Sequence, residues 1–182
     1  MSTNHPAVLA VGTALPRHYA TQEQLSAELR RLWERKHFNL SRLDELHRAV
    51  RVDGRYLAFP IARYRELDTF GKANAAWLEA ATELGVQAVR TALGKAGVSP
   101  SEVGHLFFVS VTGIATPNID ARVINQLGLP VGVKRTPIFG LGCVGGASGL
   151  ARTVDYLRGF PDEIAVLLSV ELCSLTLQRE DL

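Results

Sequence analysis

Between His105 and Glu171, apolar runs of strand length alternate with stretches of helical periodicity, and few architectures accommodate that order. The run His105-Leu106-Phe107-Phe108-Val109-Ser110-Val111-Thr112 reads as a buried strand. A helix is expected from about Asn118 to Leu127, a strand from Arg135 to Leu141, a helix from Gly145 to Arg158, and a strand from Glu163 to Glu171. Parallel strands require crossovers of this length, so the alternation predicts an α/β layered fold built on a parallel sheet. Open sheets of this kind bind their ligands at the carboxyl ends of the strands. Function is therefore sought there.

The residues before His105 prepare that sheet. Ala7 to Leu15 is an apolar run closed by Pro16, which predicts a short buried strand. Two amphipathic helices follow, one with Leu25, Leu29, Leu32 and Trp33 on a single face and one with Leu40, Leu43, Leu46 and Val50. A long helix is expected from Gly71 to Gly97, with Trp77, Ala81, Leu84, Ala88, Ala92 and Ala96 packed inward and Gly97 as its C-terminal cap. Its alanines imply a close approach to a neighbour. Ser99-Pro100-Ser101-Glu102 has the form of a capping box with proline at the first helical position.

Composition narrows the function classes. The 182 residues carry a net charge of only +2, with 47% apolar and 21% charged side chains, as in an ordinary globular chain. Basic residues are scattered among acids, so no nucleic-acid partner is expected. No apolar run is long enough to cross a bilayer and the opening run lacks a basic flank, so a cytoplasmic protein without membrane insertion is expected. The chain holds two cysteines, Cys143 and Cys173, whose spacing fits neither a metal site nor a disulfide framework. No metal and no cofactor are expected.

Cys143 follows the strand Pro137-Ile138-Phe139-Gly140-Leu141 and precedes a helix bearing Ala147, Leu150, Ala151, Val154 and Leu157. It therefore stands on a strand-to-helix turn, beside unpaired amides and the positive end of a helix dipole, an environment that favours a thiolate. Gly142, Gly145, Gly146 and Gly149 clear space for a tight turn and for a substrate arm. The same pattern also suits a small packing cysteine with glycines that serve a close helix-sheet contact. Local spacing leaves both readings open.

The segment Gly140-Leu141-Gly142-Cys143-Val144-Gly145-Gly146-Ala147-Ser148-Gly149-Leu150-Ala151-Arg152 resembles the nucleophile motif of type III polyketide synthases. These are the chalcone-synthase-like enzymes, and the likeness is to their bacterial, alkylpyrone-forming branch. It extends upstream through Val109-Ser110-Val111-Thr112-Gly113-Ile114-Ala115-Thr116-Pro117 and downstream through Ser169-Val170-Glu171-Leu172-Cys173-Ser174-Leu175-Thr176. The resemblance implies a thiolase-like fold, with residues 1–182 as one domain, the N-terminal half of a layered αβαβα architecture. The C-terminal half is then absent from this chain.

The resemblance also implies roles. Cys143 would be loaded from an acyl-CoA starter, possible long-chain starters included, and extended with units from malonyl-CoA to a pyrone or resorcinol product. Thr112, Cys173 and Thr176 would line the elongation cavity, and Thr116 would reach into the cavity of a second subunit, so a homodimer is implied. A cysteine at position 173 leaves volume that a bulkier side chain would fill, which suits a tunnel for a long acyl chain. Cys173 as a buried strand residue, and Thr112 and Thr176 as strand threonines, are the simpler packing alternatives. His105 is expected to be structural, and His5, His18, His37 and His47 match no catalytic part of the family.

Two departures qualify the implied chemistry. The family's catalytic histidine and asparagine lie in the second half, so the chain alone is expected to be unable to elongate without a second-half polypeptide. Of the family's basic CoA-rim positions, one falls on Arg42 and others on Glu45 and Ala49, leaving Arg48, Arg51 or Arg55 as substitutes. Two other readings stay open: an initiating ketoacyl-carrier-protein synthase, and a non-catalytic half-thiolase acting as a structural partner.

Overall fold

The computed structural model describes residues 5–34 and 40–178. Two compact units divide the chain, one formed by Met1–Ala14 with Asn74–Glu171 and the other by Leu15–Ala73 with Leu172–Leu182.

The first unit is built on a three-stranded parallel sheet in the order β4-β3-β5. Its strands are β3 (Val103–Val109), β4 (Lys134–Ile138) and β5 (Ile164–Ser169). β3 is central and buried along nearly its whole length, as the apolar run Leu106-Phe107-Phe108-Val109 demands. Registers His105↔Lys134 and Val109↔Ile138 on one side, and His105↔Ala165 and Val109↔Ser169 on the other, bring the three carboxyl ends level. Helix α3 (Phe70–Ala96), from Asn74 onward, helix α4 (Ile119–Leu127) and helix α5 (Gly145–Gly159) belong with this sheet.

The boundaries follow from local chemistry. Gly97 closes α3 and Gly128 closes α4, each at φ +66°, where a side chain would be strained. Ser99 and Glu102 form the expected capping box around a short 3-10 turn. Asn118 caps α4 through its side chain. The core gathers Trp77, Leu106, Phe108, Val109, Ile119 and Val123, all essentially inaccessible.

The run 7–15 departs from expectation. It forms no strand, because no other described segment supplies a ladder of hydrogen bonds to it. Instead its Val11 and Gly12 lie against α3: a side-chain carbon at Gly12 would fall 2.2 Å from the Ala88 carbonyl oxygen, and Lys95 donates to the Val11 carbonyl at 3.1 Å.

The second unit contains α1 (Gln22–Trp33), α2 (Leu40–Ala49) and an antiparallel pair, β1 (His18–Thr21) with β2 (Gly54–Leu57). A capping box between Thr21 and Gln24 starts α1 directly from β1. The side chains of Leu40 and Leu43, assigned from sequence to an apolar face, and the histidine at position 37 lie outside the described residues. No helix among the described residues is long and apolar enough to cross a membrane.

Candidate active site

The carboxyl ends of β3, β4 and β5 carry the residues of interest. β4 ends at Ile138, and the chain then turns through Gly140 at φ +85° and Gly142 at φ +57°. Both values lie in the left-handed region, so glycine is required at each for an unstrained backbone. A 3-10 turn, Gly142–Val144, carries Cys143 and runs directly into α5. No side chain caps the start of α5. The Cys143 thiol is free and exposed.

Two glycines seat the helix behind that thiol. A side-chain carbon at Gly145 would stand 2.8 Å from Val109 Cγ1, and one at Gly149 would stand 2.8 Å from Leu167 Cδ1 and 2.9 Å from Val109 Cγ2. Only glycine permits this approach, so α5 packs hard on β3 and β5 and fixes where the Cys143 turn emerges. Around the thiol, Phe139, Leu141 and Val144 are exposed at 57%, 43% and 60%. The turn is thus an apolar surface with one nucleophile.

Thr112 stands just beyond β3, at the same sheet edge, with its Oγ1 3.5 Å from that of the buried Ser110. Glu171, just beyond β5, accepts the Val111 N–H with both carboxylate oxygens, at 3.0 and 3.3 Å. Thr116 is exposed on the loop that leads to α4. That loop is held to α3 by reciprocal hydrogen bonds: Asn74 Nδ2 donates to the Ile114 carbonyl at 2.9 Å, and the Ile114 N–H donates to Asn74 Oδ1 at 2.8 Å. The first unit thus brings Cys143, Thr112 and Thr116 to one end of the sheet.

Cys173 and Thr176 belong to the second unit, in a 3-10 turn instead of a strand. Both are exposed, and Thr176 Oγ1 donates to the Cys173 carbonyl at 2.8 Å. A shallow recess beside this turn is lined by Tyr64, Leu67, Ser174, Leu175 and Leu177 and by neither Cys173 nor Thr176. Tyr64 Oη lies 2.7 Å from Ser174 Oγ, and burial raises the phenol's pKa. Of the arginines considered for CoA phosphates, Arg48 donates to the Asp44 carbonyl at 3.3 Å and Arg55 donates to Gln22 Oε1.

His105 lies at the opposite, amino end of β3. It is 6% exposed, stacked on Phe107 at 4.1 Å, with Nε2 2.8 Å from Thr136 Oγ1. Among the described residues there is no cluster of three or more side chains able to hold a metal ion. Sequence reasoning missed Asn74, and it missed the pair formed by Asp120 and Arg135. A polar residue in the first turns of a helix was the available signal, but it names no partner.

The comparisons with known proteins agree with this geometry. The family model for chalcone and stilbene synthases, N-terminal domain, matches residues 1–178. The chain belongs to that family. A 1,3,6,8-tetrahydroxynaphthalene synthase from Streptomyces peucetius subsp. caesius is 48% identical over 173 residues, which cover 95% of this chain and 46% of that enzyme. The crystal structure of 1,3,6,8-tetrahydroxynaphthalene synthase from Streptomyces coelicolor A3(2), a bacterial type III polyketide synthase, superposes with a TM-score of 0.88 at 26% identity, over 95% of this chain and 50% of that one. CsyB complexed with CoA-SH gives a TM-score of 0.85 at 25% identity, over 91% of this chain and 46% of that one. The fold is therefore the thiolase-like α/β fold of type III polyketide synthases, and the chain spans about half the length of the relatives it matches.

Proposed function

We propose that this chain carries the acyl-accepting half of a type III polyketide synthase, with Cys143 as the nucleophile. The observation that supports it most is the exposed Cys143 thiol on a glycine-shaped strand-to-helix turn, within a chain of this family. The Cys143 sulfur attacks the carbonyl of an acyl-CoA, the CoA thiol leaves, and the acyl group rests as a thioester. Decarboxylation of malonyl-CoA then supplies the carbon nucleophile that attacks this thioester, forming a carbon-carbon bond and releasing the cysteine sulfur. Donors that stabilise the enolate belong to the half of the family's fold that follows this one. Acyl-CoA and malonyl-CoA are substrates in this scheme, and no cofactor takes part. The complex of CsyB with CoA-SH supports a CoA ester as the donor.

Thr112, Thr116, Cys173 and Thr176 are proposed to shape the elongation cavity, and the exposed Thr116, matching a family position that reaches a second subunit's cavity, favours a homodimer. The finer proposal is a pyrone or resorcinol product that retains the alkyl chain of its starter. The 48% identity to a tetrahydroxynaphthalene synthase favours a second reading, an aromatic product with no alkyl chain.

Mass spectrometry of products tests both. The protein at its full natural length, given a fatty acyl-CoA and malonyl-CoA, is expected to release a polyketide that disappears in Cys143→Ala. An alkyl chain on the product supports the first reading, and tetrahydroxynaphthalene supports the second. Equal product from Cys143→Ala would defeat the assignment of the nucleophile.

A further inference from the structure

We propose that Asn74 is a positioning residue that sets the length of the polyketide, by fixing the backbone of the loop on which Thr112 and Thr116 stand. The inference rests on the functional reading above and deepens it.

The contact is a two-point pair. Asn74 Nδ2 donates to the Ile114 carbonyl at 2.9 Å while Asn74 Oδ1 accepts the Ile114 N–H at 2.8 Å. A primary amide presents a donor and an acceptor side by side, as a peptide group does, so the side chain joins the loop as one rung of a ladder would. The Ile114 side chain is 52% exposed, so apolar burial does not hold this point of the loop. Trp77, one turn along the same helix and wholly buried, supports the adjacent residue: a side-chain carbon at Gly113 would fall 2.0 Å from its ring. Asn74 and Trp77 thus grip consecutive loop residues from one helix face.

Further anchors define what the pair controls. The Glu171 carboxylate takes the Val111 N–H on one side, and Asn118 caps α4 on the other. Ile114 lies midway, with Thr112 two residues before it and Thr116 two residues after it. A shift at Ile114 therefore moves both threonines and leaves the Cys143 turn, which is seated by Gly145 and Gly149, in place. Cavity shape and nucleophile are positioned by separate contacts, so the product can change without loss of acyl transfer.

The test uses Asn74→Asp, which keeps the acceptor and turns a carboxylate oxygen toward the Ile114 carbonyl in place of the donor, and Asn74→Leu, which loses both groups at similar size, in the protein at its full natural length. Three quantities are read: hydrogen exchange of the segment containing the Ile114 amide, the rate of acyl loading on Cys143, and the distribution of product lengths. Exchange of that amide is expected to speed up at least about tenfold. The ratio of the two main products is expected to change by about fivefold or more, while loading changes by less than about twofold. An unchanged product ratio despite faster exchange would overturn the proposal, as would unchanged exchange. Equal losses in loading and in every product would make Asn74 a stability residue and also overturn it. A wild-type enzyme that makes no polyketide would instead overturn the functional reading beneath it, and that outcome is recognisable before either variant is compared.

Discussion

Arg135 on β4 holds the completely buried carboxylate of Asp120, the second residue of α4, through Nε to Oδ2 at 2.9 Å and Nη2 to Oδ1 at 2.8 Å. The Asp120 Oδ1 also accepts the Ala121 N–H at 2.8 Å. The fork geometry joins the strand that leads to Cys143 to the helix that follows the Thr112–Pro117 loop. Arg135 is itself 39% exposed, so solvent moderates the pair. Arg135→Ala leaves a carboxylate buried without its partner and should cost about 3 kcal/mol, the low end for such a loss. Chemical denaturation measures it; a cost below about 0.5 kcal/mol would show that the pair holds nothing.

Glycine acts differently at two helical positions, and paired substitutions separate the effects. Gly149→Val drives a side chain into Leu167 and Val109 and should destabilise by about 1–3 kcal/mol. Nothing lies within 4 Å of a side-chain carbon at Gly94, inside α3, so Gly94→Ala should stabilise by about 0.5–1 kcal/mol. Thermal melts of the two variants should therefore move in opposite directions.

Burial pushes the pKa of His105 below its ordinary 6.5, the charge of Lys134 adds to this, and Glu163 partly opposes it. Between the lowered folded value and 6.5 the unfolded chain binds more protons than the folded one, so stability rises with pH across that window. It is lost as pH falls from 6.5 through the folded value. His47 shifts in the same direction, so the contribution of His105 is the difference between wild type and His105→Phe. Melting temperatures measured from pH 7 downward should fall more steeply for wild type; parallel curves would show that His105 does not titrate on unfolding.

Much of the first unit was legible because its signals are local. The β3, β4 and β5 runs, the Gly97 cap, the Ser99–Glu102 capping box and the glycine-bounded turn at Cys143 each state their conformation within a few residues. What depends on a distant partner was not legible. The run 7–15 has strand composition, but a strand exists only where a neighbour pairs with it. β1 and β2, four residues each, find each other across α1 and α2, and neither shows alternation strong enough to announce it. Asn74 meets its partner 40 positions away, and Asp120 meets Arg135 15 positions away. Likewise, Thr176 and Cys173 looked like strand residues until the chain turned after β5.

If Cys173 borders a tunnel for the starter, Cys173→Phe should shorten the longest acyl chain accepted while leaving short starters nearly unaffected. The side chain is exposed in a short turn, so the substitution adds bulk without overfilling the core of its unit. Competition between acyl-CoAs of different length gives the selectivity directly. The same preference in variant and wild type would remove Cys173 from the cavity.

The exposed thiol at position 143 remains the centre of the account, and peptide mapping after incubation with a labelled acyl-CoA tests it most directly. Both cysteines are free and exposed, so each serves as the other's control. With the protein at its full natural length, the acyl mass should fall on the peptide containing Cys143, vanish in Cys143→Ala, and persist in Cys173→Ala. An acyl group found on Cys173 alone, or on neither cysteine, would contradict the assignment of Cys143 as the acyl acceptor.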